Sequence, residues 1–267
     1  MLSLPGLTVG SPAPVIDTHV HTSLCNHATG TMEDYVRSAL GKGFRGIVFL
    51  EHLEEGIEYF ERTWLTEADF AAYFAEGKKL QEKYRDRISI TLGVEIGYNP
   101  RAVEALRESI RRFPWDWQGL SYHFYYHGGR HLNMVSRRQE VMEALAAAGP
   151  DRVMTDYLNG LIEAVQVLDC NVLCHLDAVM RHHPGARFNP SHWDLVERLL
   201  AAVRQRNMHL EVNTSGFALR GEPYPGQRII GRALGLGIPL TAGSDAHHPA
   251  QVGRYFDRIP EFLISAG

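Results

Sequence analysis

The chain has 267 residues and a formal net charge of −4, and its fractions of hydrophobic (45%) and charged (22%) residues are those of a globular protein with a large core. No apolar run approaches the roughly 20 residues that a membrane helix needs, and the first ten residues lack the basic start and apolar stretch of a signal peptide, so we expect a cytoplasmic protein. Three cysteines without a CxxC pair argue against a disulfide framework or a structural zinc knuckle, and the lack of a basic block gives no support to a nucleic-acid groove.

Short apolar or β-branched runs alternate with longer helical segments, and no linker rich in Gly, Ser or Pro interrupts them. The predicted strands are residues 15–19, 46–50, 88–94, 117–121, 171–174, 208–213 and 238–243. The predicted helices are residues 32–42, 66–85, 101–113, 137–168, 190–205 and 227–236, with a last helix after Pro249. Gly149-Pro150 divides the segment 137–168 into two helices. Thr31 and Thr66 are the predicted N-caps of the first two helices. This alternation predicts parallel strands in a single domain over residues 1–267, arranged as a barrel or as an open doubly wound sheet.

His19 and His21 lie two residues apart on the first predicted strand. Because side chains alternate along a strand, both imidazoles leave the same face and can converge on one metal ion. His27 follows a polar turn and lies far enough round the loop to serve a second ion beside the first. We interpret Cys25 as a thiol of this loop rather than as a ligand.

Side chains of the types that bind metals also follow the later predicted strands. They are Glu51, His52, Glu95, His123, His175, Asn213, Asp245 and His247. Glu95 lies in an apolar strand, where a buried carboxylate costs several kcal/mol unless it is paired or coordinated, so a ligand role is favoured. A closed barrel brings its strand ends to one mouth, whereas an open sheet spreads them along an edge, so the pattern favours a barrel.

These residues resemble the polymerase and histidinol phosphatase (PHP) superfamily. The motifs that carry the resemblance are His19-x-His21 with His27, Glu51-His52, Glu95, Ser121-x-His123, His175-x-Asp177 and Ser244-Asp245-x-His247. Three further motifs resemble the histidinol-phosphatase branch: Thr22-x-x-Cys25-x-His27, Glu211-Val212-Asn213-Thr214-Ser215-Gly216 and Glu222-Pro223-Tyr224-Pro225.

The resemblance implies an α/β fold, a distorted seven-stranded (β/α) TIM-like barrel, with three divalent metal ions. By motif, the first ion would be held by His19, His21, Glu95 and Asp245. The second would be held by His27, His52 and His247. The third would be held by Glu95, His123 and His175, with Glu95 bridging two ions. Nitrogen and oxygen ligands of this kind fit zinc, iron and manganese.

Close divalent ions lower the pKa of a bound water to about 7, which gives a hydroxide that can attack a phosphate while the ions neutralise its oxygens. We therefore expect a phosphomonoesterase with a small phosphorylated substrate. We assign catalytic roles to Asp245, His247 and Asp177, and substrate binding to Arg181, Arg220 and His127. The two arginines are chosen because a guanidinium pairs two phosphate oxygens at once.

The branch resemblance implies L-histidinol phosphate, an intermediate of histidine biosynthesis, as the substrate. One alternative is a PHP phosphoesterase that acts on nucleotides or nucleic-acid ends. A second is a metal-dependent amidohydrolase, but that group often uses a carbamylated lysine, and none of the four lysines (Lys42, Lys78, Lys79 and Lys83) lies at a predicted strand end. The third is a metal-binding module without catalysis.

Overall fold

The computed structural model describes residues 6–183 and 186–267 of the chain. Seven parallel strands form one sheet in chain order. They are β1 (Ile16–Val20), β2 (Gly46–Glu54), β3 (Ser89–Gly97), β4 (Trp117–Ser121), β7 (Val172–Leu173), β8 (His209–Asn213) and β9 (Leu240–Gly243). An antiparallel hairpin, β5 (Phe124–His127) and β6 (Arg130–Asn133), follows β4. The single domain predicted over residues 1–267 includes residues 1–5 and 184–185, which lie outside the described residues, and it stays a prediction.

The sheet curves into a nearly closed barrel, because β1 also bonds to the segment after β9. The amide of Asp245 donates to the carbonyl of His19 at 2.8 Å, and the amide of His21 donates to the carbonyl of Ala246 at 2.9 Å. The fold class predicted from the sequence is therefore confirmed. The same two bonds place Asp245 beside the two histidines of β1.

Nine helices are described in these ranges, and they surround the strands. They are α1 (Met32–Gly41), α2 (Glu67–Tyr84), α3 (Val103–Arg111), α4 (Gln139–Ala148), α5 (Pro150–Val167), α6 (Pro190–Gln205), α7 (Gly216–Arg220), α8 (Gln227–Gly235) and α9 (Ile259–Ala266). Thr31 and Thr66 cap α1 and α2 through capping boxes with Asp34 and Asp69, as predicted. None of the helices described is both long and apolar enough to cross a membrane.

The barrel interior is divided into an apolar layer and a polar layer. Along β2, Ile47 and Phe49 belong to the large buried cluster that includes the helices, whereas Val48 and Leu50 belong to a small separate cluster. The other members of the small cluster are Trp117, Val172 and Cys174. Because strand side chains alternate, the inward side of β2 continues past Leu50 with His52 and Glu54. Apolar residues therefore fill the start of the barrel, and polar residues fill its C-terminal mouth.

The structure differs from the predicted elements mainly near this mouth. The second and third strands continue to Glu54 and Gly97, past their predicted ends at residues 50 and 94, because strand pairing extends through the charged residues. The β5–β6 hairpin was not predicted. Its two-residue turn is Gly128-Gly129, and both residues have positive φ angles (59° and 84°), which glycine adopts without steric cost. Helix α7 was also not predicted, since five residues are too few for a helical period to be recognised.

We predict that Gly93→Ala destabilises the barrel. A Cβ at Gly93 would lie 2.6 Å from the carbonyl oxygen of Trp117 and 2.8 Å from Leu50 Cδ2, and the backbone oxygen cannot move away without disturbing β4. The expected loss in the free energy of unfolding is about 1–3 kcal/mol, measured by urea denaturation.

Gly41→Ala, at the end of α1, is the matched control. A Cβ there would have no neighbour within 4 Å, so we expect no loss of stability. Equal loss in both variants, or no loss in Gly93→Ala, would contradict the packing argument.

Candidate metal centre

The nine side chains predicted to bind metal lie together at the C-terminal mouth. They are His19, His21, His27, His52, Glu95, His123, His175, Asp245 and His247. The strand-end rule brings them together because each lies in the last residues of a barrel strand or on the loop after it.

Groups of these side chains have ligand atoms close enough to share an ion. Ligand atoms lie within 4.8 Å of one another in the groups His19/His21/Glu95, His27/His52/His247 and His52/Glu95/His123. The second group is the set that the sequence predicted for the second ion. The first group contains three of the four residues predicted for the first ion. The fourth is Asp245, whose Oδ1 lies 3.4 Å from Nε2 of His21.

Glu95 lies at the centre of the cluster and is almost completely buried. Its Oε1 is 2.7 Å from His175 Nε2 and 3.2 Å from His123 Nε2, and its Oε2 is 2.9 Å from His52 Nδ1. Burial by itself would raise the pKa of this carboxyl, but the surrounding imidazoles, His123 and His52 foremost, hold the pKa well below its usual value. Glu95 is therefore an ionised carboxylate with an oxygen on each side of the cluster.

His27 and His247 provide a test of whether the site fits a cation. His27 Nδ1 lies 2.9 Å from the carbonyl oxygen of Cys25, and His247 Nδ1 lies 3.1 Å from that of Asp245. A carbonyl oxygen accepts only, so each Nδ1 carries a hydrogen and each Nε2 presents a lone pair in the neutral ring. Desolvation lowers the pKa of both rings to about 4, so both are neutral at pH 7. Two lone pairs that face each other at 2.8 Å repel unless a cation binds them, so these residues fit a metal ion.

Two further carboxylates orient the imidazoles, and we did not predict either as a site residue. Glu211 Oε1 lies 2.6 Å from His19 Nδ1, and its Oε2 accepts the amide hydrogen of His175 at 2.9 Å. Glu54 Oε1 lies 2.8 Å from His123 Nδ1. A carboxylate on the far nitrogen fixes the ring and leaves the other nitrogen for a metal.

Strand alternation contains the signal for both residues. Glu54 lies two residues after His52, and Glu211 lies two residues before Asn213, so each shares a side of its strand with a residue of the mouth. Glycines on the neighbouring strands make room for them. A Cβ at Gly97 would collide with the carboxylate of Glu54, and a Cβ at Gly243 would collide with that of Glu211.

Above the cluster lies a cavity of about 690 Å³ that opens to solvent. Arg181, predicted to bind substrate, lines this cavity and also the adjoining cavity of about 1150 Å³. Arg254 lines it as well, and its guanidinium donates to the carbonyls of Ser244 and Asp245 at 2.8 and 3.0 Å. Arg254 was not predicted, since it lies after the last motif in a segment of irregular structure.

Three other predicted residues do not lie in this cavity. Asp177, predicted to be catalytic, accepts the amide hydrogen of Gly226 at 3.0 Å, and its Oδ2 lies 3.0 Å from Nη1 of Arg220. Both Asp177 and Arg220 line the adjoining cavity. His127 ends the β5 strand, stacks on Tyr125 with 6.2 Å between ring centroids, and is outside the described lining of both cavities. In the described part of the chain these three residues lie outside the lining of the cavity above the cluster, and their catalytic and substrate-binding roles stay predictions.

The physical reason is local backbone geometry. β7 ends at Leu173, and His175 has a positive φ of 25°, so strand alternation no longer relates Asp177 to His175. His127 belongs to the β5–β6 hairpin, which strand periodicity does not predict.

We predict that Glu211→Gln weakens metal binding about 10- to 100-fold, because the neutral amide no longer holds the His19 ring with a charge-assisted hydrogen bond. The measurement is zinc affinity from competition with a coloured chelator. Glu197→Gln, which removes a surface carboxylate paired with Arg232 on the outside of the barrel, is the control and should leave the affinity unchanged. The same affinity in both variants and in the unmodified protein would rule out this role for Glu211.

Two known protein families match the parts of the chain that carry the nine clustered side chains. The PHP domain family matches residues 17–215, and the PHP-associated family matches residues 227–265. A curated protein of Deinococcus radiodurans, named "Probable histidinol-phosphatase", is 28% identical over 269 residues and covers 94% of each chain. The histidinol-phosphatase of Bacillus subtilis is 27% identical and covers 92% of this chain and 98% of its own.

A solved structure has the same fold. It is histidinol phosphate phosphatase from Lactococcus lactis, described as a complex with zinc, L-histidinol and phosphate, and it superposes with a TM-score of 0.79 at 20% identity, covering 96% of this chain and 95% of that one. The PHP domain match spans most of the chain and includes seven of the nine clustered side chains, those from His19 to His175. This chain belongs to the PHP domain family.

Proposed function

We propose that this protein is a metal-dependent phosphomonoesterase that hydrolyses L-histidinol phosphate. The observation that carries the proposal is the convergence of nine side chains with nitrogen or oxygen ligand atoms, among which the buried carboxylate of Glu95 is central. The names of the curated relatives support the substrate, and so does the L-histidinol and phosphate described in the Lactococcus lactis structure.

We propose the same three ion sites that the family resemblance implies. His19, His21, Glu95 and Asp245 would hold the first ion. His27, His52 and His247 would hold the second. Glu95, His123 and His175 would hold the third, and zinc, iron and manganese all suit this donor set. Bound divalent ions supply an acidified water and neutralise the charge that develops on the phosphate oxygens.

The chain's own residues orient the ligand nitrogens and the attacking water. Glu211 and Glu54 fix the rings of His19 and His123, so the ligand nitrogens need no rearrangement when substrate binds. Burial would raise the pKa of Asp245, but hydrogen bonding and charge from nearby histidines hold it well below its usual value. Asp245 is therefore an ionised carboxylate on the cavity wall, and we assign it to orient the attacking water by accepting its hydrogen bond. We keep His247 beside it as the second catalytic residue.

Arg181 is our proposed phosphate-binding residue. Its guanidinium lies on the wall of the cavity, 5.9 Å from the centre of the Tyr224 ring, and in the described part of the chain it forms no ion pair with a carboxylate. A planar guanidinium with free donors can bind two phosphate oxygens at once.

We predict that removal of divalent ions abolishes phosphate release from L-histidinol phosphate. Dialysis against a chelator should lower kcat by at least about 10³-fold, because the water is then no longer acidified, and zinc or manganese should restore it. Phosphate release is followed colorimetrically, with nucleotides and a short single-stranded DNA as competing substrates. Full activity after ion removal would contradict the metal dependence, and turnover of nucleotides without turnover of L-histidinol phosphate would contradict the substrate.

We predict that Arg181→Gln raises KM for L-histidinol phosphate by about tenfold or more, since a charge-assisted pair with phosphate is lost. Steady-state kinetics measures the effect, and Arg181→Lys should recover only part of it because an ammonium does not bind two oxygens in a plane. Arg187→Gln is the control, because Arg187 lines only the adjoining cavity. Unchanged KM in Arg181→Gln would remove this residue from the substrate site.

A further inference from the structure

The mouth of the metal-centre cavity carries its charge unevenly. Arg137 and Arg181 both line the cavity and lie near His182, whose pKa is lowered by burial and by these two cations. Arg254 is held beside Asp245. The guanidinium groups of Arg137 and Arg181 make the wall near His182 suitable for an anion, which is the phosphate end of the proposed substrate.

The cavity also contains a carboxylate that the metal cluster does not use. Of the four carboxylates that line the described cavity, Glu54, Glu95 and Asp245 each contact an imidazole. The fourth is Glu61, whose Oε2 lies 2.7 Å from the guanidinium of Arg138, with both side chains about half exposed. Glu61 can therefore bind a second cation on its solvent-facing side.

Glu61 lies on a loop that is fixed against the hairpin. The amide of Glu58 donates to Nδ1 of His131 at 3.0 Å, and the amide of His131 donates to the carbonyl of Glu58 at 3.3 Å. The rings of Tyr59 and Phe124 meet edge to face at 5.1 Å, and both line the cavity. The carboxylate is thus presented on a preorganised wall next to two aromatic rings.

L-Histidinol phosphate needs such a wall, because it carries an ammonium group and an imidazole beside its dianionic phosphate. A cationic or flat aromatic group binds favourably next to aromatic rings and a carboxylate. We propose that Glu61 binds the cationic end of the substrate and so selects amine-bearing phosphomonoesters over uncharged ones, an inference that rests on the proposed function. Arg138 pairs with Glu61 at the half-exposed surface and competes with the substrate for its charge.

The test compares a substrate that has a cationic end with one that has none. For Glu61→Gln, kcat/KM for L-histidinol phosphate should fall about five- to tenfold, mainly through KM, whereas kcat/KM for p-nitrophenyl phosphate should change less than twofold. Binding of L-histidinol, measured by calorimetry on the metal-loaded protein, should weaken by the same factor, and binding of inorganic phosphate should not change.

Two further variants separate recognition from structural support. Glu58→Gln lies on the same loop but outside the described cavity lining, and it should behave as the unmodified protein does with both substrates. Arg138→Gln removes the competing cation, so it should not weaken L-histidinol binding, whereas a merely structural ion pair would make Glu61→Gln and Arg138→Gln equally harmful.

The outcomes distinguish this inference from the proposed function. If the unmodified protein hydrolyses L-histidinol phosphate but Glu61→Gln changes kcat/KM for both substrates alike, or for neither, then Glu61 does not bind the cationic end of the substrate. If the unmodified protein hydrolyses p-nitrophenyl phosphate and not L-histidinol phosphate, the proposed substrate is wrong and the inference falls with it.

Discussion

The structure of the barrel mouth depends on one buried anion, the carboxylate of Glu95. A carboxylate removed from water costs several kcal/mol unless positive charge or hydrogen bonds replace the lost hydration. Here the replacement comes from imidazoles that reach it from four other strands, among them His52, His123 and His175. Each imidazole that turns one nitrogen toward the centre needs a partner for its other nitrogen. For His19 and His123 those partners are Glu211 and Glu54, so the central anion leads to a second ring of buried anions around it.

The third strand shows how a narrow barrel makes room for this polar layer. The inward positions of β3 are Gly93, Glu95 and Gly97. The first glycine leaves space for Leu50 and the backbone of β4, and the last leaves space for the carboxylate of Glu54. A single strand therefore serves the apolar layer, the ligand layer and the supporting carboxylate in succession. The glycines are required by close approach and not by an unusual φ angle, since neither has a positive one.

Local sequence rules predicted the fold and the clustering of the nine side chains well, because the fold follows from strand periodicity and the clustering follows from the position of each side chain at or after a strand end. The spacing of His19 and His21, and the polar residues that end each apolar run, need no knowledge of loops. The supporting carboxylates also obey this periodicity, but a charged residue such as Glu54 is usually a sign that a strand has ended, so their role depends on partners from other strands. The position of Asp177 depends on irregular backbone after β7, and that of Arg220 depends on α7, a helix too short for a helical period to be recognised.

Ion binding and barrel closure are linked by the same residues. The backbone bonds that join β1 to the end of β9 involve His19, His21 and Asp245, whose side chains belong to the cluster. The facing lone pairs of His27 and His247 oppose this arrangement until a cation binds between them. A ligand that binds only the folded chain raises its free energy of unfolding. The gain grows with the logarithm of the ratio of ligand concentration to dissociation constant. Divalent ions at this mouth therefore stabilise the closed barrel itself, since the unfolded chain cannot bring together ligands from residues 19 to 247.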